Sequence, residues 1–502
     1  MTLSFDDSLE LDWLKRWAMY SPQKIALQCA DSNRSFSYRE LYERSNQLAQ
    51  ILKDKHGLRF GDRVAMLSLN EPEYLFLFFA LQRIGAMLVP VNYRLSAREI
   101  DHIIKDSQPK LFIYQNSYQE IVDKLSAPVE QLLGFEALVE YIFTSTPAHM
   151  MGMETRFTSP AMILYTSGTT GAPKGALITN KMLFWNSVNT GLRLDITQKD
   201  AAIIFHPLFH TSGWNVLTTP FMHHGARIIL LKKFDADRVL ALAEKEKVSI
   251  LFGVPTMMDM MARSSSFAKI KLDNLRYVIV GGEPMPVPLI RQWGEKGIPI
   301  RQGYGLTEFG PNVFSLNEED AIRKIGSIGF PNFYIDVKIV NNEGHAITGI
   351  DEVGELALRG PTVTAGYWNN EKATKEALKK GWFFTGDLVR KDGEGYFYVV
   401  GRKKDMFISG AENVYPAEIE QFLRTNTKVH EVAVIGVKDE KWGEVGRAFY
   451  STNNGSAISP EEWTSFCAGN LAKYKIPKSF VHLKELPKGE SGKILKRALM
   501  NS

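Results

Sequence analysis

The chain has 502 residues, 44% of them hydrophobic and 23% charged, with a formal net charge of +4 at pH 7. This composition is ordinary for a globular protein, and the length allows about three structural units. So small a net charge argues against a nucleic-acid partner. The only two cysteines of the sequence, Cys29 and Cys467, are too few and too far apart for a disulfide framework or a Cys-x-x-Cys metal site. We therefore expect a reducing, cytoplasmic location.

Apolar runs alternate with amphipathic segments through the N-terminal part of the chain. A strand is predicted at 64–67, a helix at Glu73–Ile84 and a strand at Met87–Val91. The most apolar stretch of the sequence is 74–91, and Gln82 and Arg83 interrupt it, so we expect no transmembrane segment. Further strands are predicted at Leu111–Tyr114, 202–205, 227–231, 250–254 and Tyr277–Val280. Apolar strands separated by helices are typical of layered α/β architecture with parallel sheets.

The pattern changes twice in the C-terminal part. Short alternating strands at 335–340 and Gly354–Arg359 predict a small antiparallel β unit at about residues 325–400. A compact α+β segment with an apolar strand at 432–435 follows the charged residues 402–405. We therefore predict an α/β fold with a large multi-layer N-terminal domain, residues 1–402, which includes the β unit, and a small α+β C-terminal domain, residues 403–502.

The strongest motif is the glycine-rich segment 165–175, YTSGTTGAPKG, which follows an apolar strand. Glycines allow close approach of the backbone to a ligand, and hydroxyl groups and backbone N–H groups can hold phosphate oxygens. The spacing differs from that of a Walker A loop. We predict that this segment binds phosphate through Thr166, Ser167, Gly168, Thr169, Thr170 and Lys174.

Three further motifs contain residues with distinctive chemistry. In 303–308, GYGLTE, Tyr304 provides a flat apolar face and Glu308 a carboxylate with hard oxygen atoms. In 384–387, FTGD, Asp387 offers a carboxylate that accepts hydrogen bonds. In 487–494, PKGESGKI, Lys493 offers an ammonium group. Each residue alone has a simpler interpretation: a surface carboxylate, a turn residue and a surface lysine.

In this order, the motifs resemble those of the adenylate-forming superfamily, which includes acyl- and aryl-CoA synthetases, amino-acid adenylation domains and beetle luciferases. The resemblance covers nearly the whole chain. It implies that Tyr304 stacks on adenine, Thr307 contacts the α-phosphate and Glu308 helps to hold Mg²⁺. It also implies that Asp387 binds both ribose hydroxyls and that Arg402, in 401–405 (GRKKD), contacts ribose or phosphate.

The same resemblance implies how the enzyme changes between two half-reactions. Lys493 would be the catalytic lysine of adenylation, and the small C-terminal domain would be mobile, rotating about a hinge at Lys404. The segment 410–420, GAENVYPAEIE, resembles the loop that moves in for thioester formation and begins at Gly410, although Ala411 stands where relatives usually have glycine. Trp442 resembles a residue that packs on pantetheine.

Two segments resemble the surroundings of adenine and the acid. Residues 281–284, GGEP, match the adenine-side strand end and predict contacts from Gly282, Glu283 and Pro284, without a catalytic role for Glu283. His210, in 206–214 (HPLFHTSGW), lies where the family has an aromatic or imidazole group between the acid and the CoA tunnel, and is a catalytic candidate. A hydrogen-bonded core histidine is the simpler interpretation of His210.

The predicted function is an ATP-dependent acyl-CoA synthetase that uses ATP, Mg²⁺ and coenzyme A and releases AMP and pyrophosphate. The mostly apolar acid-binding segments favour a medium- or long-chain fatty acid. The alternatives are an aryl acid of the cinnamate or benzoate type, o-succinylbenzoate, or transfer to an acyl-carrier protein; a luciferase-like oxygenase and a non-catalytic nucleotide-binding protein are weaker alternatives. An amino acid is disfavoured because 206–214 has no carboxylate to pair with its ammonium group. We expect a monomer or homodimer, and peripheral membrane contact stays open.

Overall fold

The computed structural model describes residues 11–144, 152–166, 173–409, 412–468, 470–489 and 494–500. The chain forms two compact units. The first comprises Met1–Asp336 and Arg359–Phe383, and the second comprises Val337–Leu358 and Phe384–Ser502. This division follows packing and assigns most of the predicted β unit to the second unit. The predicted domain boundary at 402/403 concerns the parts that move, and it stays a prediction.

The first unit contains a large, mainly parallel sheet. Its strands are β1 (Ile25–Cys29), β2 (Ser35–Ser37), β9 (Ala201–Ile204), β10 (Arg227–Leu230), β11 (Ile250–Gly253), β12 (Tyr277–Val280), β13 (Ile300–Tyr304), β14 (Phe314–Ser315) and β15 (Ser327–Pro331). Their order is β15-β14-β13-β12-β11-β9-β10-β1-β2. The strands from β13 to β1 run parallel to one another, whereas β2, β14 and β15 pair antiparallel.

A second sheet of the first unit has the order β6-β5-β3-β4-β7-β8. Its strands are β3 (Arg63–Leu67), β4 (Met87–Val91), β5 (Leu111–Tyr114), β6 (Gln131–Gly134), β7 (Pro160–Thr166) and β8 (Lys174–Thr179). The first five are parallel, and β8 returns antiparallel to β7. Strand β4 is buried along its whole length, which agrees with its continuous apolar sequence.

Helices pack on the two sheets, and the core is built from residues of both helices and strands. The helices of the first unit are α1 (Trp13–Tyr20), α2 (Tyr38–His56), α3 (Glu73–Ile84), α4 (Ala97–Ser107), α5 (Gln119–Val122), α6 (Phe135–Phe143), α7 (Asn180–Leu194), α8 (Thr211–Trp214), α9 (Thr218–His223), α10 (Ala236–Lys245), α11 (Pro255–Arg263), α12 (Val287–Glu295) and α13 (Glu371–Ala377). Helix α3 is buried on every face, which explains why it is apolar all round. Its Arg83 pairs with Asp12 at 2.8 Å. In the described ranges, no helix has the length and apolarity needed to cross a membrane.

The remaining strands belong mostly to the second unit. They are β16 (Asp336–Val340), β17 (Ala346–Ile347), β18 (Gly354–Arg359), β19 (Leu378–Lys379), β20 (Trp382–Lys391), β21 (Phe397–Arg402), β22 (Phe407–Ser409), β23 (Glu412–Val414), β24 (Val429–Asp439), β25 (Gly443–Thr452) and β26 (Ser479–His482). The C-terminal sheet has the order β23-β22-β25-β24, and β26 pairs with β25. Helices α14 (Pro416–Leu423), α15 (Pro460–Cys467) and α16 (Lys496–Leu499) complete this α+β segment.

Each unit buries one cysteine. Cys29 ends β1 in the first unit, and Cys467 ends α15 in the second. Both side chains are free thiols without solvent exposure. Burial raises the pKa of Cys467 to about 11.

Candidate functional site

One edge of the large sheet gathers several predicted segments. Strands β9, β11, β12 and β13 run parallel, so their carboxyl ends meet at this edge, which is where open α/β sheets bind ligands. The chain leaves β9 into 206–210, β12 into 281–284 and β13 into 305–308. A Cβ built on Gly281 would lie 3.5 Å from the Phe252 ring and 3.5 Å from the Gly303 carbonyl oxygen. Gly282 has φ +86°, and Glu283 and Pro284 follow it at the surface of the edge.

The turn after β13 is built for a sharp change of direction. Tyr304 is partly buried, and its ring meets the edge of Phe314 at 5.8 Å. A Cβ atom at Gly305 would lie 1.8 Å from the Pro311 carbonyl oxygen, so only glycine fits there. A short 3-10 turn at Thr307–Phe309 follows. Thr307 and Glu308 lie in this turn, shortly after Tyr304 and Gly305, and both side chains are partly buried.

The predicted phosphate-binding segment begins in β7 and ends in β8, which pair antiparallel. Thr166 pairs with Lys174 in this hairpin, and the Thr166 hydroxyl lies 3.4 Å from the Lys174 carbonyl oxygen. Ser167, Gly168, Thr169 and Thr170 lie outside the described residues.

A segment that the sequence analysis did not identify connects Lys174 with Glu308. The Lys174 ammonium lies 5.5 Å from the centre of the Tyr367 ring, and the Tyr367 hydroxyl donates a 2.9 Å hydrogen bond to Glu308 Oε1. The backbone N–H of Thr364 donates to the Glu308 carbonyl oxygen at 2.8 Å. We name 364–368 the bracket segment. It lies between predicted motifs and carries no charged residue, so the motif search had no signal for it.

The two histidines of 206–210 have different environments. His206 is buried, and its ring stacks on Phe252 at 4.4 Å and on Phe205 at 4.9 Å. Burial, with a smaller contribution from His210, lowers the pKa of His206 to about 3, so its imidazole is neutral near pH 7. His210 is partly buried, precedes α8 as its N-cap residue and packs against the Phe209 ring at 4.7 Å.

Trp214 belongs to the core rather than to a pocket wall. Its side chain is buried, its indole N–H donates to the Leu208 carbonyl oxygen, and its ring packs on Phe78 at 5.1 Å and Tyr74 at 6.3 Å. These contacts fix the backbone of 208–214 and thereby the position of His210.

In the second unit, Asp387 and Arg402 face each other across β20 and β21. The Arg402 guanidinium lies 2.6 Å from Asp387 Oδ1, and the Asp387 side chain is only 6% exposed. Glu355 supports the same strand ends, because its carboxylate accepts from the Gly386 backbone N–H at 3.1 Å and pairs with Lys403 at 3.0 Å. The two predicted ribose ligands are therefore brought together by strand register.

Lys404 lies in the turn that joins β21 to β22, closed by a 3.0 Å hydrogen bond from the Asp405 backbone N–H to the Arg402 carbonyl oxygen. Trp442, 40% exposed, lies in the turn between β24 and β25. It lines an open cavity of about 640 Å³ together with Ile408 and Glu444. Gly410 and Lys493 lie outside the described residues.

The residues present fit a Mg²⁺ ion that is shared with phosphates. No group of three or more His, Cys, Asp or Glu side chains that could hold a metal occurs in the part of the chain that the structure describes. Mg²⁺ usually keeps several waters and takes one or two protein carboxylates together with substrate phosphates. Glu308, partly buried in the turn after β13, offers one such carboxylate.

Comparisons with known proteins place the chain in a family. The AMP-binding enzyme family matches residues 14–368, and the AMP-binding enzyme C-terminal domain matches residues 418–493. A feruloyl-CoA synthase of Amycolatopsis sp is 39% identical over 485 residues, which is 96% of this chain and 97% of that protein. The long-chain-fatty-acid–CoA ligase FadD13 of Mycobacterium tuberculosis is 35% identical over 492 residues, 97% of each protein.

A solved structure confirms the likeness of the fold. The o-succinylbenzoate coenzyme A synthetase MenE of Bacillus subtilis, in complex with ATP and magnesium ion, superposes with a TM-score of 0.88 at 32% identity, over 97% of this chain and 99% of that chain. The predicted α/β class with a separate C-terminal domain is thereby confirmed. The chain belongs to the adenylate-forming family of AMP-binding enzymes, in its CoA-ligase branch, and is an AMP-forming acid–CoA ligase that uses ATP, Mg²⁺ and CoA.

Proposed function

We propose that the protein activates an aryl-type carboxylic acid as its acyl-adenylate and transfers the acyl group to CoA. The observation that carries this proposal is the shared edge of β9, β11, β12 and β13. It gathers the candidate acid-binding residues around His210 and the candidate adenine- and cation-binding residues of 303–308. An acid and a nucleotide that react must meet at one place, since catalysis of phosphoryl-type transfer is largely a matter of positioning.

In the first half-reaction, a carboxylate oxygen of the acid attacks the α-phosphorus of ATP, and the bond from that phosphorus to the pyrophosphate oxygen breaks. In this proposal, Tyr304 stacks on the adenine and Thr307 donates to the α-phosphate. Glu308 holds Mg²⁺, which neutralises phosphate charge when bound. Lys493 stabilises the charge that develops on the phosphoryl oxygens.

The remaining predicted residues bind parts of the nucleotide that do not react. Asp387 accepts from the ribose hydroxyls and Arg402 contacts ribose or phosphate. The adenine edge is bounded by Gly282, Glu283 and Pro284. The β- and γ-phosphates are held by Thr166, Ser167, Gly168, Thr169, Thr170 and Lys174.

In the second half-reaction, the CoA sulfur attacks the acyl carbonyl carbon, and the bond to the AMP oxygen breaks. We propose that rotation about Lys404 replaces Lys493 with the loop at Gly410, and that Trp442 packs on the pantetheine arm. His210 would lie between the acid and the thiol. An exposed tryptophan beside an open cavity suits the apolar part of such an arm.

The choice of an aryl acid rests on the shape of the edge. Phe252 presents an aromatic ring at this edge, 3.5 Å from the position of a Cβ on Gly281. Aromatic neighbours favour stacked or edge-on contacts with a ring. The 39% identical relative is named for feruloyl-CoA, which supports the same choice.

A medium- or long-chain fatty acid, which the sequence analysis favoured, is the second candidate. Its support is the 35% identity to a long-chain-fatty-acid–CoA ligase over nearly the whole chain and the apolar character of 206–222. Transfer to an acyl-carrier protein, the cytoplasmic location and the monomeric or dimeric state stay predictions.

A panel of acids tests the substrate class. We expect AMP release with ATP and CoA to be fastest with cinnamate- or benzoate-type acids, and kcat/KM for saturated chains of eight to sixteen carbons to be lower by about tenfold or more. Faster turnover of the long chains would favour the second candidate. Equal rates with free CoA and with a purified carrier protein would reopen the choice of acceptor.

A further inference from the structure

The Tyr367 side chain makes two contacts with predicted site residues. Its hydroxyl donates to Glu308 Oε1 at 2.9 Å, and its ring lies 5.5 Å from the Lys174 ammonium. One end of the side chain is therefore polar and meets a carboxylate, and the ring face meets a cation. Neither contact follows from the motif that contains Lys174 or from the motif that contains Glu308.

The backbone around Tyr367 is held firmly on both sides. The Gly366 carbonyl oxygen accepts from the Leu177 N–H at 3.0 Å, and the Trp368 N–H donates to the Gly175 carbonyl oxygen at 2.7 Å. The Tyr367 N–H donates to the Thr374 hydroxyl at 2.9 Å. These bonds join the bracket segment to β8, so the position of the ring is set by the same strand that begins at Lys174.

Glu308 is held at two points by the bracket segment. Thr364 binds its carbonyl oxygen and Tyr367 binds one carboxylate oxygen. A carboxylate with one oxygen fixed has less rotational freedom, so less entropy is lost when the other oxygen meets a cation. Groups that hydrogen-bond to a metal ligand typically change metal affinity by 10- to 100-fold.

We propose that Tyr367 is a positioning residue. Its hydroxyl orients the Glu308 carboxylate toward the divalent cation shared with the nucleotide phosphates, and its ring holds the Lys174 ammonium by a cation–π contact. This inference rests on the proposed cation-binding role of Glu308. The Tyr367 side chain would then affect two properties of the site. Its hydroxyl would affect the affinity for the cation, and its ring would affect the binding of phosphate by Lys174.

The test measures Mn²⁺ binding directly, without turnover. Full-length protein is mixed with α,β-methylene-ATP, and free Mn²⁺ is measured by electron paramagnetic resonance. We expect Tyr367→Phe, which keeps the ring, to weaken Mn²⁺ binding by about tenfold or more. Binding of the analogue in EDTA should stay within about twofold of wild type, because the ring contact with Lys174 remains.

Two further variants separate the two contacts. Tyr367→Leu removes the ring as well, and we expect it also to weaken analogue binding in EDTA by about two- to fivefold. Tyr398→Phe is the matched control, since the Tyr398 hydroxyl donates to Asp392 at 3.2 Å and its ring lies 4.2 Å from the Arg390 guanidinium, outside the predicted motifs. We expect this control to leave Mn²⁺ affinity unchanged. Thermal unfolding of each variant confirms that it is folded.

The outcomes distinguish this inference from the proposed function. Wild-type Mn²⁺ affinity in Tyr367→Phe, or an equal loss in Tyr398→Phe, would overturn the positioning role while leaving the nucleotide site intact. Unchanged Mn²⁺ affinity in Glu308→Gln would instead remove the cation role of Glu308, and the inference with it. Failure of the wild type to bind the analogue would overturn both proposals.

Discussion

Asp387 illustrates how a single buried carboxylate can be held ready for a ligand. It faces Arg402 at 2.6 Å, and its side chain is 6% exposed, whereas the Arg402 side chain is 48% exposed. Because the arginine reaches solvent, it can move toward another partner without a large desolvation penalty. The carboxylate stays where the strand register puts it.

Replacing Asp387 with asparagine tests its role toward ribose. Hydrogen bonds to a charged acceptor contribute about 1.5–3 kcal/mol, so we expect Asp387→Asn to lower kcat/KM for ATP by roughly 10- to 100-fold. Initial-rate kinetics of pyrophosphate exchange give this value. Asp351→Asn is the control, because Asp351 forms an exposed ion pair with Arg390 in the same unit; similar losses in both variants would contradict the assignment.

The buried imidazole of His206 makes stability depend on pH. Burial lowers the pKa of His206 to about 3 in the folded protein, while an unfolded histidine titrates near 6.5. Between these values the unfolded state binds more protons, so the free energy of unfolding falls as pH drops below about 6.5. The contribution of His206 is lost progressively between about pH 6.5 and pH 3.

We expect the free energy of unfolding to fall by about 2 kcal/mol from pH 7 to pH 5 because of His206 alone. His206→Phe should remove this part of the pH dependence, and urea unfolding at the two pH values measures it. The exposed His430 provides the control His430→Gln, which should leave the pH dependence unchanged. An identical pH dependence in His206→Phe and wild type would contradict the burial argument.

Helix α7 contacts the segment 310–312 through buried polar side chains, which we name the polar stripe. Asn186 donates to the Asn215 carbonyl oxygen at 2.7 Å, and Asn312 donates to the Thr190 hydroxyl at 2.6 Å. Asn186 also lies against Gly310, two residues after Glu308. Buried polar groups of this kind are expensive to leave unpaired, so the stripe fixes how the helix meets 310–312.

Truncation of this stripe should loosen the first unit. We expect Asn186→Ala to lower the free energy of unfolding by about 1 kcal/mol, because the Asn215 carbonyl oxygen loses the shorter of two hydrogen bonds and keeps the 3.3 Å bond from Asn312. Leu192→Ala on the same helix is the control; Leu192 is 52% exposed, and its loss should cost less than about 0.5 kcal/mol. Urea unfolding of both variants measures the difference, and equal effects would contradict the stripe's importance.

The sequence predicts where helices and strands occur more reliably than where each strand ends. The predicted helix Glu73–Ile84 and the strands Met87–Val91, Leu111–Tyr114 and Tyr277–Val280 are confirmed to the residue. Strand β24, predicted as 432–435, extends to Val429–Asp439, because its pairing with β25 continues beyond the apolar residues. Periodicity shows burial, whereas strand length depends on the partner strand.

The site was predictable where a motif is contiguous and unpredictable where the contact is long-range. Tyr304, Thr307 and Glu308 lie in one segment, so their proximity follows from sequence spacing alone. Tyr367 contacts Glu308 across 59 positions, and no local pattern records that meeting. Trp214 packs in the core against Phe78, and its residue type alone does not predict this, since aromatic side chains are typical of both cores and pocket walls.

For the whole molecule, the proposed exchange of half-reactions depends on rotation at Lys404. Proline fixes φ near −65° and restricts the preceding residue, so Lys404→Pro should hinder that rotation. We expect adenylate formation, measured by pyrophosphate exchange, to stay within about twofold, and thioester formation from supplied acyl-adenylate to fall by roughly tenfold or more. Lys404→Ala, which keeps backbone freedom, should retain both; equal loss of both steps in the proline variant would contradict a hinge.

Each unit encloses one buried thiol, Cys29 in the first unit and Cys467 in the second. The reactivity of these two thiols can therefore report local opening of each unit without an added label site. A thiol reacts with a disulfide reagent only as an accessible thiolate, so its labelling rate in native buffer counts the openings of the unit that encloses it. Mass spectrometry of the two cysteine peptides would give separate opening rates for the two units from one sample. An added surface cysteine needs no such opening, so a fluorophore reagent would react with it faster than with either native thiol.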